Sequence, residues 1–197
     1  IKIVVTCLRV CLCKVVDNKI HRAQKCVSGR NSVENVILID TAMHQFAIDP
    51  EVKDEAAAIF FDFKAAFPSV SHWFLLFILT SIGLPTQFVS AIEKLYKKNW
   101  HIIKLAGKLY HGPLMGAGVR QGCPLSMVLF ALCLEPLLRI LERVLSEGEV
   151  AGAFADDIGI VVKHLRKILP KLRSLFVLFG LVFFWPVPPK FSKIKQI

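Results

Sequence analysis

Val150-Ala151-Gly152-Ala153-Phe154-Ala155-Asp156-Asp157-Ile158-Gly159-Ile160-Val161-Val162 is the stretch that decides the fold. Two adjacent carboxylates stand between apolar, β-prone runs. That pattern reads as a tight hairpin with both acids at its tip. A third acid, Asp62, ends another apolar run, Ala56 to Phe61, and lies 94 residues before Asp156. Only a folded chain brings these acids together. Carboxylates on strand ends offer the all-oxygen ligand set that a hard divalent cation prefers. A pair of such ions activates an attacking oxygen and stabilises a leaving one. The plainer alternative makes Asp156 and Asp157 polar turn residues, which hairpins favour for their own sake.

Two further blocks are informative. Asp62-Phe63-Lys64-Ala65-Ala66-Phe67 has the form Asp, aromatic, two variable residues, Ala, Phe. Gly118-Val119-Arg120-Gln121-Gly122-Cys123-Pro124-Leu125-Ser126 runs into a long apolar helix pattern, Met127 to Leu145. In this order and at these spacings, the three blocks resemble the reverse transcriptase palm of non-LTR (LINE-type) retrotransposons and their group II intron relatives. The run Arg120 to Ser126 alone matches seven successive positions. The resemblance covers residues 20–163 and fades at both ends. It divides the chain into an unassigned segment 1–19, a palm with partial fingers 20–163, and a degenerate or truncated segment 164–197. It implies an RNA-directed DNA polymerase using two Mg²⁺ ions, with Mn²⁺ as a substitute. Its implied partners are an RNA template, a DNA primer and deoxynucleoside triphosphates, with no obligate protein partner. The alternative is an inactive retroelement remnant that at most binds nucleic acid.

Composition agrees with a polyanionic partner. Lys and Arg number 25 against 15 Asp and Glu, a formal net charge of +10. Such an excess favours phosphate neutralisation and counterion release, although a basic protein need not bind nucleic acid. The 197 residues suffice for one good core. They are fewer than a complete hand of fingers, palm and thumb would need, so no clear thumb is expected. The six cysteines form no Cys-x-x-Cys pair and show no zinc spacing with the histidines. They read as reduced, mostly buried thiols of an intracellular protein, in nucleus or cytoplasm, with a secreted disulfide protein as the alternative.

Neither end reads as a membrane anchor. Ile1 to Val16 is apolar but broken by Lys2, Arg9 and Lys14, and lacks the unbroken centre of a signal peptide. Ser174 to Val187 is almost wholly apolar, yet shorter than the roughly 20 residues a bilayer requires. It reads as a buried segment, with membrane association as the alternative.

Between the blocks, the spacing predicts a helix over Val33 to Ala47, stopped by Asp49 and Pro50. A buried strand covers Ala56 to Phe61. Helices follow from Ser71 to Ile82 and from a Thr86 cap to Lys97. Trp100 to Leu105 and Lys108 to His111 form a hairpin turned at Ala106-Gly107. Gly112 to Pro124 is loop, and Leu125 to Leu145 is a helix with a bend at Pro136. After the Asp-Asp hairpin, a basic helical stretch, His164 to Arg173, should break or kink at Pro170. The order suggests an α+β fold, a palm-like antiparallel sheet backed by helices.

Asp62 and Asp156 are the expected shared metal ligands. Phe63 would add a backbone carbonyl if its strand continued past Asp62. Asp157, on the opposite strand face in regular pairing, takes a supporting role among the catalytic acids. The resemblance implies that Phe67 packs under the sugar of an incoming nucleotide and rejects a 2′-OH; alternatively it is a core Phe. In the glycine-rich loop, Arg120 is suited to phosphate and Gln121 to nucleotide or template. Gly122 lets the backbone come close to a ligand. Gln24 to Arg30 loosely matches a fingers block, which makes Arg30 a candidate triphosphate or template contact.

The chain also departs from the family pattern. Pro68 stands where Asp is usual, and Met127 where Pro is common. Where the family shows Gly-Leu followed by an Asn and a Lys, this chain has Gly180-Leu181 followed by Phe183, Phe184, Trp185 and three prolines; Lys190, the nearest base, is out of register, so no general acid for pyrophosphate departure is assigned.

Overall fold

The computed structural model describes residues 2–63, 65–97, 100–183 and, as backbone, 190–196. The elements run α1 (Lys2–Val16), α2 (Val33–Ile48), β1 (Ala57–Asp62), α3 (Ala66–Ser69), α4 (His72–Ser81), α5 (Thr86–Tyr96), β2 (Trp100–Leu105), β3 (Lys108–Leu114), α6 (Ser126–Val144), β4 (Val150–Phe154), β5 (Asp157–Val162), α7 (Leu165–Phe183) and β6 (Lys190–Gln196). Four strands form one antiparallel sheet in the order β4-β5-β1-β6. β2 and β3 form a separate ribbon. This is the α+β arrangement expected from the order of elements.

β1 lies between β5 and β6 and sends buried side chains to both faces of the sheet. Ala57, Ile59 and Phe61 point into the main core, with α6 and α7. Ala58 points the other way, joining Val161, Ala42 and Phe46 beneath α2. Alternation with period two puts successive side chains on opposite faces, so one short apolar strand feeds two cores. α2 packs tightly on β4 at Gly152, where a Cβ would stand 2.9 Å from the Asn35 side chain.

α6 is apolar on nearly every side and buries twelve residues. It continues through Pro136. α7 likewise continues through Pro170, where the sequence suggested a break or kink. Proline inside a helix costs about 3 kcal/mol. Ile168, Leu172, Phe176, Phe179 and Phe183 recur at helical spacing and are buried. Each fully buried apolar side chain contributes about 1.5–3 kcal/mol, so the sum outweighs the proline. The Phe176 ring stacks on Phe61 with centroids 3.8 Å apart, tying α7 to β1.

The apolar segment from Ser174 is thus the second half of α7 as far as Phe183; residues 184–187 lie outside the described ones. No helix among the described residues is long and apolar enough to cross a membrane. Residues 164–197, set apart in the sequence reading, supply α7 and the strand β6 beside β1.

The cysteines, expected to be mostly buried, are not: Cys133 alone is buried, Cys13, Cys26 and Cys123 are half-buried, and Cys7 and Cys11 lie exposed on α1, which has core on one face only. Smaller differences lie at element ends. Pro85, not Thr86, occupies the N-cap of α5. β3 extends to Leu114 into the stretch expected as loop. Ala106 and Gly107 both have positive φ, 47° and 79°, the type I′ geometry that two-residue hairpins favour. Ser71 caps α4, its hydroxyl accepting from the Phe74 N–H at 3.4 Å.

Candidate active site

The hairpin forms where the sequence placed it. Phe154 pairs with Asp157, leaving Ala155 and Asp156 as the two turn residues. Ala155 carries a positive φ of 52°, so a non-glycine residue holds the left-handed position of this turn. Phe61 pairs with Ile158, and one further step of that register sets Asp62, the end of β1, level with Asp157. On the other side of β1, Asp62 pairs with the backbone of Lys190.

Asp62 and Asp157 both line a cavity of about 300 Å³ over the α2 face of the sheet, with Phe60, Phe154 and Gly159. Asp156 sits next to this pair. Its carboxyl is raised above the usual range, first by burial and then by the charges of Asp157 and Asp62, partly offset by a bond from its own backbone N–H. Three like charges therefore share one corner of the fold, a cost that a bound cation would relieve. Among the described residues, no three His, Cys, Asp or Glu side chains are gathered tightly enough to hold a metal ion. The acids are neighbours rather than a closed cage. The expected ligand set needs only two shared carboxylates and a carbonyl. Mg²⁺ takes one or two protein carboxylates and fills its remaining positions with water and phosphate oxygens, so the residues present suit it. β1 ends at Asp62, and the Phe63 that follows is buried, its ring 6.0 Å from Phe176.

A second cavity, about 490 Å³, is lined by none of the three acids and reaches the hairpin through Cys26. Phe67, Arg120, Gln121, Gly122, Cys26 and Ser28 are among its walls. The structure thus gathers four of the five expected nucleotide contacts around one space. Phe67 is half-buried and stacks on Phe130 at 4.5 Å between centroids. Phe67 thus both packs on the core and lines the cavity. The glycine-rich loop is pinned to the Phe67 turn by backbone bonds, Gly118 N–H to Val70 O at 2.7 Å and Val119 N–H to Phe67 O at 2.8 Å. Gly122 has a φ of +76° and open space around its Cα.

Cys26 links the cavity to the acids. Burial pushes its thiol up to about 11; bonds from the backbone N–H groups of Ala155 and Cys26 and the charge of Arg30 lower it, and Asp156 adds a smaller rise.

Arg30, the fifth expected contact, is engaged elsewhere. Its Nη1 donates to the carbonyls of His21 at 2.6 Å and Gln24 at 3.0 Å. Its Nη2 donates to those of Asp17 at 2.6 Å and Ile20 at 2.9 Å. A triphosphate contact by Arg30 would have to share or replace these bonds.

Sequence reasoning missed Gln24 and Asn35. Gln24 is fully buried. Its Oε1 accepts from the Ala155 N–H at 2.8 Å and its Nε2 donates to the Ala155 carbonyl at 3.1 Å. Asn35 Nδ2 donates to the carbonyls of Ala23 at 2.8 Å and Ala153 at 3.1 Å. Gln24 stood inside the fingers-like block, but nothing local in the sequence points from it to a turn 131 residues away.

Known proteins share the sequence pattern and the fold of this chain. The sequence pattern of the reverse transcriptase (RNA-dependent DNA polymerase) family matches residues 4–181. An uncharacterized 149 kDa protein of transposon TX1 from Xenopus laevis is 34% identical over 173 residues, 83% of this chain and 13% of that protein. A Pol polyprotein of the type-2 retrotransposable element R2DM from Drosophila melanogaster is 30% identical over 128 residues, 61% of this chain and 12% of that protein. The chain therefore spans about an eighth of the length of these relatives. Among solved structures, apo telomerase from Candida tropicalis superposes with a TM-score of 0.67 at 13% identity, covering 98% of this chain and 36% of that one. Telomerase from Candida albicans, in complex with a fragment of telomeric RNA, superposes with 0.66 at 13% identity, covering 98% and 35%. At such identity these likenesses speak for the fold, and the sequence matches speak for the lineage: the chain belongs to the reverse transcriptase family, as a domain of the non-LTR retrotransposon kind.

Proposed function

We propose that this chain carries the palm of an enzyme that copies RNA into DNA by two-metal nucleotidyl transfer. The observation that carries this reading is that Asp62 and Asp157 act electrostatically on Asp156, while Cys26, bonded to the Ala155 N–H beside Asp156, walls the cavity shared by Phe67 and the Arg120 to Gly122 loop. In this assignment Asp62 and Asp156 hold Mg²⁺ with Asp157 in support; the Phe63 carbonyl, expected only if its strand ran on past Asp62, is left out because β1 ends there. Such ions supply charge stabilisation at the transferring phosphate and a more acidic attacking hydroxyl.

The chain's own residues do the rest. Arg120, exposed at the rim, meets phosphate, and Gln121 faces the nucleotide or template strand. Gly122 leaves room for close backbone approach. The Phe67 edge closes the space that a ribose 2′-OH would need. The basic excess of the chain favours a primer–template duplex of DNA and RNA.

Primer extension on an RNA template, with deoxynucleotides and Mg²⁺, tests the assignment in a longer chain that supplies a thumb. Asp62→Asn should abolish extension and leave primer–template binding within a few-fold, because phosphate contacts supply most of that affinity. Extension by the variant near the parent rate refutes the two-metal assignment. An unsubstituted parent that binds the duplex without extending it marks an inactive remnant.

A further inference from the structure

The Asp-Asp turn has an unusual support. Two-residue hairpin turns generally present their backbone to water, and they prefer glycine or asparagine where φ is positive. Here the residue with φ 52° is an alanine, and it is buried. Both of its backbone polar groups therefore need partners inside the protein. The Gln24 amide reaches both, with bonds of 2.8 Å and 3.1 Å, and the Ala155 N–H is shared with the Cys26 sulfur.

Gln24 is itself held from three sides. The Ala153 N–H donates to Ala23 O at 2.9 Å and the Lys25 N–H donates to Ala153 O at 2.8 Å, so residues 23–25 run along β4 like a short extra strand. Asn35 bonds to both chains of that pairing. Arg30 holds the Gln24 carbonyl at 3.0 Å.

We propose that Gln24 is a positioning residue for the Asp-Asp turn: its amide holds Ala155 in the left-handed conformation, and thereby sets where the next residue, Asp156, presents its carboxylate. Gln24 touches no reacting atom. The functional half of this proposal rests on the polymerase reading; the structural half does not. The geometry also separates a clamp from mere filling of space. A filler would be replaceable by an apolar side chain of equal size, whereas a clamp needs its donor and its acceptor together.

The test is Gln24→Met, which keeps size and removes both bonds. Amide hydrogen exchange of the chain reads the clamp without any activity. The Ala155 amide should exchange about 10-fold faster or more, while the amides of β1 and β5 keep their protection. An unchanged Ala155 amide overturns the proposal. Should Gln24→Met unfold the whole chain, Gln24→Met combined with Ala155→Gly decides. Glycine accepts φ 52° without strain and, lacking a side chain, lets water reach the freed N–H and C=O, so the pair should fold and regain ladder protection, and failure to recover overturns the clamp.

In primer extension, Gln24→Met should lower kcat by about 10- to 100-fold, the scale of a misplaced catalytic group. KM for the primer–template should stay unchanged, and Ala155→Gly should restore part of kcat. A rise in KM with kcat intact overturns the positioning role. If the unsubstituted protein extends nothing, the polymerase reading fails by itself, and the exchange measurements still decide the clamp.

Discussion

Replacing Gly118 by alanine isolates the contact that seats the glycine-rich loop, and Gly122 provides an internal control. Both residues have positive φ, +98° and +76°. Alanine in such a conformation costs about 1–2 kcal/mol at either site. The surroundings differ. A Cβ on Gly118 would stand 2.5 Å from the Pro68 carbonyl oxygen and 2.9 Å from its carbon and Cα, all backbone atoms. Around Gly122 nothing lies within 4 Å. Relief at Gly118 must move either the loop or the turn after Phe67, an overpacking cost of about 1–3 kcal/mol more. Gly118→Ala should therefore lose about 3 kcal/mol or more, against about 1–2 kcal/mol for Gly122→Ala. For a chain of this size, about 2–4 °C of melting temperature accompanies each kcal/mol. Scanning calorimetry should show a drop of about 6–12 °C for Gly118→Ala and markedly less for Gly122→Ala. Gly118→Ala should also depress primer extension, because the backbone bonds from Gly118 and Val119 to Val70 and Phe67 set the position of Arg120 and Gln121. Equal losses at the two sites would refute the argument, since the shared strain would then account for everything.

Three other outcomes follow from the site. Phe67→Ala, on protein shown to be folded, should raise ribonucleotide over deoxynucleotide incorporation by about 10-fold, a transition-state difference of about 1.4 kcal/mol; an unchanged ratio leaves Phe67 as a partner of Phe130 alone. Asp156→Asn should raise the melting temperature of the metal-free protein. The carboxyl's folded pKa lies above its unfolded value, so its charge opposes folding at neutral pH, and that penalty fades as pH falls through the folded pKa. Calorimetry at neutral and mildly acidic pH should find the variant's advantage only at the former, and a destabilised variant at neutral pH contradicts the charge argument. Cys26, with a thiol pushed up to about 11 from 9.0, should alkylate about 100-fold more slowly below pH 9 than a thiol at the ordinary value. Mass spectrometry of iodoacetamide-treated protein reads this directly, and fast labelling of Cys26 would contradict its burial.

Local chemistry made much of this chain legible. The Asp-Asp hairpin, the strand ending at Asp62, the ribbon turned at Ala106-Gly107 and the helix after Ser126 are all encoded by short-range patterns, and each formed where its pattern placed it. The ordered blocks around Asp62, Arg120 and Asp156 carried the family. What the sequence by itself could not determine rests on contacts between distant residues. α7 runs through Pro170 because buried rings on β1 and α4 reward the helix more than the proline penalises it. Arg30 looked like a ligand contact, but the path of the chain from Asp17 to Gln24 puts four carbonyls within its reach. β6 joins β1 across more than a hundred residues. Gln24 meets Ala155 only once residues 23–25 have settled along β4. Hydrogen bonds and packing of this kind have no period along the chain, because their partners are chosen by the fold and not by the neighbours in sequence. The sequence thus marked the residues suited to chemistry, and the tertiary structure alone decided which side chain bonds the turn that carries Asp156.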